Sequence, residues 1–378
     1  MDEVIKTVTA FLTAPLLWIT LVWSFGLAIR RVKYERTTFR MAIKPQWLEV
    51  RAFLGHGLLA GILISCGTLL LGLMIDWQWW LGYQIVAIIA LLGLPYLLAG
   101  NLIVLISALV YWGLAWYWPQ YQSPQQPALL AGLLVVTGLV TLVSSWLQKK
   151  DAPRLATPKV VQSKRGRLTA IFTSRQVYLA PVCFLVPGTL NFPDWSFWPV
   201  IQVGHQTYSI VILPLLLGFS FKAVQQLIPQ VVQRYVKHQV IWGLCLLGIG
   251  LLAMAWPDYA IWGIMIAFLG SFVLQLRLGR QNRSEKRLYF TKPYEGVRVL
   301  GVQFETPAAK MGLEVGDVIV ECNGLPVSDN ENFYQAIQSQ PTYCHLKVQD
   351  LQGEYRITES AVFADAPHEL GVILFPED

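Results

Sequence analysis

Charge-free apolar runs dominate the first three quarters of the chain. From Ala52 to Gln148 the only charged residue is Asp76, from Gln176 to Phe221 it is Asp194, and from His238 to Leu276 it is Asp258. A bilayer core takes roughly 20 apolar residues per spanning helix. Backbone groups in lipid must be satisfied internally, which leaves helices or closed barrels. Barrel strands alternate polar with apolar residues, and these runs do not. The pattern predicts an α-helical polytopic membrane bundle of about eight or nine spans, at about 10–29, 54–75, 78–97, 100–118, 128–147, 177–190, 206–221, 239–256 and 259–276. Pro95, Gly100 and Asn101 supply the turn that divides the long stretch Trp77–Trp118. Segment 177–190 is short, contains Pro181 and Pro187, and is open to a re-entrant reading. The first span ends at Arg30-Arg31 and not at a small-residue cleavage site, so it reads as a span and not as a secretory signal.

The remaining quarter changes character. Tyr294–Phe375 alternates short strand patterns with turn signals: a strand over Val297–Phe304, a short helix opened by Pro307 and ended by Gly312, and a turn at Gly316-Asp317 into Val318–Glu321. Asn323-Gly324 is a two-residue turn, and Asp329 or Asn330 caps a helix that Pro341 stops. Strands follow at Tyr343–Asp350 and Glu354–Glu359. The predicted domains are a transmembrane helical domain over 1–276, a basic juxtamembrane linker over 277–290 and a small α+β domain over 291–378.

Charge sharpens the division. Residues 1–287 hold 24 Lys/Arg against 9 Asp/Glu, and residues 288–378 hold 5 against 14, so a formal net charge of +6 conceals a basic part and an acidic one. This excludes a single soluble domain, a disordered chain and a nucleic-acid binder with one basic face. The basic residues concentrate in 30–51, 149–175, 222–237 and 277–287. The connections between are nearly charge-free and rich in Trp and Tyr, as at Trp77, Trp116, Trp198, Trp256 and Tyr259. Positive segments stay cytoplasmic, so the small domain is expected in the cytoplasm and the protein in the cell membrane, multi-pass. Its five cysteines form no CxxC pair and predict neither metal binding nor disulfides.

Thr306-Pro307-Ala308-Ala309-Lys310-Met311-Gly312-Leu313-Glu314-Val315-Gly316-Asp317-Val318-Ile319, followed by Cys322-Asn323-Gly324-Leu325-Pro326-Val327, resembles the core of bacterial PDZ domains. The resemblance implies capture of an extended peptide by β-augmentation beside a helix. The hydrophobic-Gly-hydrophobic loop of the family has no good match upstream of Val297. It has one at His368-Glu369-Leu370-Gly371-Val372, before Ile373-Leu374-Phe375, which implies a permuted domain. The candidate peptide-binding residues are therefore His368, Glu369, Leu370, Gly371, Val372 and Ile373, with Phe333, Ala336 and Ile337 as groove walls. The alternative is that Leu370–Phe375 is a closing core strand. The excess of acid over base opposes acidic peptides and favours an internal or basic ligand.

Catalytic patterns are missing from the sequence. None of the five histidines has HExxH spacing, and no GxSxG or GNSGG string occurs. His205 and Asp194 read as an interfacial pair, and Gly270-Ser271 and Ser144-Ser145 as packing positions. No cofactor, metal or nucleic acid is expected. Lys222–His238 carries apolar residues at helical spacing and reads as an amphipathic helix on the inner leaflet, with Pro229 as a bend, or as a helix packed under the bundle. The basic loops are expected against anionic lipids.

A multi-span part, a short basic tether and one PDZ-like domain, in that order and without protease motifs, resemble the MinJ family of Gram-positive bacteria. The resemblance implies a non-enzymatic adaptor that places the division septum by bridging a DivIVA-like polar scaffold and a MinD-like inhibitor, at the septum and poles. A transporter or a membrane-protease accessory with a regulatory PDZ domain is the other expectation. Transport fits less well, because the spans hold almost no ionisable side chains.

Overall fold

The computed structural model describes residues 11–93, 99–118, 120, 125–162, 166, 168–187, 200–203, 206–224, 226–281, 290–303, 305–361 and 370–376. Among the described residues seven helices form the apolar part: α1 (Pro15–Phe39), α2 (Leu48–Leu70), α3 (Trp77–Gly93), α4 (Gly100–Tyr117), α5 (Gln126–Asp151), α6 (Ile228–Ala255) and α7 (Ala260–Gln281). Six of the helices among the described residues are long and apolar enough to cross a membrane, and Trp77–Leu92 is a shorter apolar helix. Six candidate spans and one shorter apolar helix thus stand, among the described residues, where eight or nine helical spans were expected.

The difference lies in the middle of the chain. The segments expected to be helices at 177–190 and 206–221 are instead strands of one sheet: β1 (Thr157–Gln162), β2 (Leu168–Pro187), β3 (Val200–Val203) and β4 (Gln206–Ala223), in the order β1-β2-β4-β3. β2 and β4 pair antiparallel from Phe172↔Ala223 to Pro187↔Tyr208. Val177–Ala180 and Leu213–Phe219 are buried at every position. A strand covered on both faces is apolar throughout, so its sequence lacks the alternation that marks a half-exposed strand.

Such a hairpin must also satisfy its two outer edges. On β2 the residues facing away from β4 are odd-numbered; α2 covers this edge from Leu179 to Cys183, and the segment after α2 meets Leu185. Leu179 O and Pro181 O lie over Gly57 and Gly61, where a Cβ would come within 2.8 and 2.5 Å of the respective oxygens. Cys183 N donates to Ser65 Oγ (2.9 Å), and Thr68 Oγ1 donates to Cys183 O (2.6 Å). Leu185 N donates to Leu73 O and receives Ile75 N on its carbonyl, each at 3.1 Å. On the β4 edge Leu216 N donates to Tyr83 Oη (2.8 Å), and Leu216 O abuts Gly100. Pro181 and Pro214 sit directly opposite one another. Their missing N–H groups fall on the outer edges, where no ladder bond is lost.

α5 is the central helix, with most of its residues buried. Small residues bring α6 against it: Gly138 faces Leu247, Gly243 faces Leu142 and Gly250 faces Val135. Ser145 Oγ donates to Gln239 Oε1 (3.2 Å), so Ser145 packs α5 on α6 as its small size suggests. Lys222–His238 is not a separate surface helix. Lys222 and Ala223 end β4, and Ile228–His238 is the first part of α6, continuous with the segment after it. Pro229 lies in the first turn, where its missing N–H costs nothing, and so does not bend the helix.

The C-terminal domain follows its sequence signals closely. It contains β5 (Val297–Val302), α8 (Pro307–Lys310), β6 (Val318–Cys322), β7 (Leu325–Pro326), α9 (Asn330–Ser339), β8 (Tyr343–Gln349), β9 (Tyr355–Ala361) and β10 (Val372–Leu374). The sheet runs β10-β5-β6-β8-β9, with β7 beside β6. Asp329 caps α9 by accepting from Asn332 N at 2.7 Å. That same bond is the largest of the effects holding the Asp329 carboxyl below the usual aspartate range.

Candidate functional site: the edge strand and its seat

The last strand of the chain pairs with the first strand of its domain, in the register Val372↔Val302 and Ile373↔Gly301. Gly371 starts it at φ +80°, and a side chain there would run into Thr306. The segment before α8 holds the entry in place. Ala308 N donates to Leu370 O (3.1 Å), Gln303 N donates to Gly371 O (2.9 Å), and Thr306 Oγ1 donates to Gln303 O (2.7 Å). Since Gly371 O faces β5, ladder alternation turns the peptide groups of Val372 to the outer edge of the sheet.

The side chains of β10 divide between two surroundings. Val372 and Leu374 are buried with Leu370, Phe333 and Ala336 in the core of the C-terminal domain, and Ile337 packs at its border. Ile373 and Phe375 are buried on the opposite face, in one apolar cluster with Leu300, Ile43 and the bundle. The structure thus brings Leu370, Val372, Phe333, Ala336 and Ile337 together and separates Ile373 from them. His368 and Glu369 lie outside the described residues. The strand is both a closing core strand and a sheet edge, so the two sequence alternatives are not exclusive.

The opposite face is a seat that the sequence pattern did not announce. Gln303 Nε2 donates to Ala42 O at 2.6 Å, and Gly301 passes close to both Ile373 and Ile43. A second attachment lies at Phe290. Its carbonyl accepts from Ala170 N (2.8 Å) and Thr169 Oγ1 (3.2 Å), and its ring meets Phe172 edge-on at 5.0 Å. Among the described residues no ion pair joins the acidic domain to the basic part; the seat is apolar.

The platform under Ile43 is built from charges. Arg31 Nη1 reaches Glu35 Oε1 and Oε2 at 3.1 and 3.0 Å. Its Nη2 donates to Glu49 Oε2 (3.1 Å) and to Pro45 O (2.7 Å), and its Nε also bonds Glu49. Glu35 Oε2 then accepts from Ile43 N at 2.8 Å. Both carboxylates are buried. Lys44 donates to Arg154 O from within this group. Burial first, and the nearby Arg31 charge second, bring its pKa down to about 8. A parallel cluster ties α2, α5 and β2: Asp151 Oδ2 accepts from Tyr178 Oη (2.6 Å) and lies 2.7 Å from His56 Nδ1. The signals were present. Glu35 and Glu49 are the only acids in the basic segment 30–51, and Met41-Ala42-Ile43 is an apolar triplet in that segment.

The PDZ-domain family matches residues 277–349. Over its whole length the chain is similar to curated bacterial proteins. It is 28% identical over 386 residues to the cell division topological determinant MinJ of Bacillus subtilis (strain 168), covering 100% of this chain and 96% of that protein. It is 30% identical over 372 residues to a protein of Lacticaseibacillus paracasei named as a probable cell division topological determinant MinJ, covering 96% of this chain and 95% of that one. The same identity and coverage hold for the corresponding protein of Lacticaseibacillus casei (strain BD-II).

Proposed function

The chain belongs to the MinJ family of cell division topological determinants, and from that membership we propose that it is a non-enzymatic membrane adaptor that recruits a protein partner to the division site through its PDZ domain. The observation that carries this reading is the division of labour in β10. One face closes the domain core beside α9, the other is fixed on the bundle, and among the described residues no strand pairs with the outer edge. An adaptor needs that combination: a recognition edge held at a defined place relative to its anchor.

In this reading the helices span the cell membrane and the PDZ domain lies on the cytoplasmic side, where the basic segments gather. The hairpin in place of two spans leaves the topology unchanged, because exchanging a pair of crossings for a hairpin preserves the parity. The partners are those that the family resemblance implies, a DivIVA-like scaffold and a MinD-like inhibitor. The bound segment is basic or internal, since the domain is acidic.

The test is localisation of a fluorescent fusion in dividing cells, for the wild type and for Ile337→Lys, which places a charge on the border of the proposed groove without opening the core. Septal enrichment lost in the variant, with the protein still in the membrane fraction, supports the adaptor. Uniform membrane signal in the wild type throughout the cycle overturns the division role. Unchanged enrichment in the variant overturns the groove.

A further inference from the structure

α6 and α7 form an antiparallel pair joined through Pro257–Tyr259. His238 lies 18 residues before Trp256 on α6, which is about 27 Å of helix. Arg277 lies a similar distance from the same turn on α7. The turn carries Trp256, Tyr259 and, just beyond, Trp262, all well exposed. The His238–Arg277 end and the aromatic belt are therefore separated by close to the thickness of a bilayer hydrocarbon core, about 30 Å.

Between the helices at the His238–Arg277 end is a cleft of about 240 Å³. Its walls are Ile241, Trp242, Val273 and Leu274, and it reaches down to Gly270. Gly270 lies seven residues, about 10 Å, below Arg277. The indole of Trp242 closes tightly over Gly270, and its Nε1 donates to the buried Ser271 Oγ at 2.9 Å, so the floor is fixed and its polar atom is already spent. At the mouth, His238 Nδ1 donates to Arg234 O (2.8 Å), so the neutral ring presents Nε2 only as an acceptor and the donor group there is the Arg277 guanidinium. Arg277 is exposed and forms no ion pair among the described residues.

We propose that this cleft binds one anionic phospholipid of the adjacent leaflet, with its phosphate on Arg277 and one acyl chain running inward between Trp242 and Val273 to Gly270. The charge sits at the depth of a headgroup, and the apolar walls begin directly beneath it. Neither a soluble anion nor a second helix needs both features in that order. The site is separate from the PDZ edge. It rests on α6 and α7 spanning the bilayer, which alkaline extraction of membranes tests on its own.

The experiment is native mass spectrometry of the full chain in detergent, titrated with phosphatidylglycerol and with phosphatidylcholine of the same acyl chains. The first phosphatidylglycerol is expected to bind about fivefold more tightly or better, the scale of one cationic contact near the membrane surface. Arg277→Gln should bring it to the phosphatidylcholine level, and Val273→Trp, which fills the cleft, should weaken both lipids. Glycerol phosphate should not compete. Equal binding of the two lipids, an unaltered preference in Arg277→Gln, full competition by glycerol phosphate, or a lipid-free dimer that Val273→Trp dissociates would each overturn the proposal. Arg277 makes no ion pair among the described residues, so its variant is expected to unfold at the wild-type temperature. Loss of that temperature would count against a surface role for Arg277.

Discussion

Gly61 on α2 lies against the backbone of Pro181 on β2, so closely that a Cβ on Gly61 would stand 2.5 Å from the Pro181 carbonyl oxygen and 2.8 Å from its nitrogen. The neighbours are backbone atoms of a strand held on both sides, and they cannot move aside as a side-chain tip would. Gly61→Val is therefore expected to destabilise the bundle by about 2–3 kcal/mol, the upper range for overpacking a core. Gly26→Ala is the control. Gly26 is also helical, but a Cβ there would meet nothing within 4 Å, and the change should be neutral or stabilising by up to about 1 kcal/mol. Thermal unfolding of both variants in the same detergent checks the contrast.

The same contact explains which parts of the fold were legible. The C-terminal domain could be read almost strand by strand, because its turns are written in residues with local reasons: Asn323-Gly324, Gly316-Asp317 and the cap at Asp329. The long helices could be read from their lack of charge. The hairpin could not, because Val177–Ala180 and Leu213–Phe219 are covered on both faces and lose the period that names a strand. Pro181 and Pro214 were clues. Two prolines inside apolar runs suit opposed strand edges better than spanning helices, and the small residues Gly57, Gly61 and Ser65 at four-residue spacing marked the helix that would cover one edge. Of the candidate residues, motif order grouped Phe333, Ala336, Ile337, Leu370 and Val372, and these pack together in one cluster. The seat was missed, because Arg31 looked like one more topological charge and its acidic partners lie 4 and 18 residues away.

Arg31 should be the costliest charge to remove. Arg31→Met leaves Glu35 and Glu49 buried without the cation bonded to them, Lys44 being nearby but bonded to Arg154 O, and losing the partner of a buried ion pair costs about 3–5 kcal/mol. If that cost is due to the unpaired carboxylates, the triple variant Arg31→Met, Glu35→Gln, Glu49→Gln recovers most of it. Comparing unfolding temperatures of the single and triple variants decides the point; equal losses in both would assign the effect to packing.

Lys44 gives a pH dependence with a defined sign. Its folded pKa of about 8 lies below the ordinary value of 10.5. Below about pH 8 it is protonated in both states, and the burial penalty is felt in full. Between about 8 and 10.5 the folded form has released a proton that the unfolded chain still holds, so stability rises with pH across that window. Lys44→Met should remove this rise and stabilise the protein below pH 8. Melting curves from pH 7 to 10 measure both, and a wild-type slope retained in the variant would mean that another group titrates.

The apolar seat predicts how the PDZ domain is held. Ile43 is 4% exposed and shares its cluster with Leu300, Ile373 and Phe375. Truncating a buried Ile typically costs about 2–5 kcal/mol. In Ile43→Ala this loss falls on the contact between domains, because the core formed by Val299, Phe333, Leu346 and Leu374 is a separate cluster. Hydrogen exchange should therefore speed up at Ala42–Lys44 and at Gly301–Gln303, while β6 and β8 keep their protection. Salt should change little, since no ion pair crosses the seat among the described residues. If raising ionic strength released the domain from the wild type as effectively as Ile43→Ala does, the attraction between acidic domain and basic loops would replace apolar burial as what holds it there.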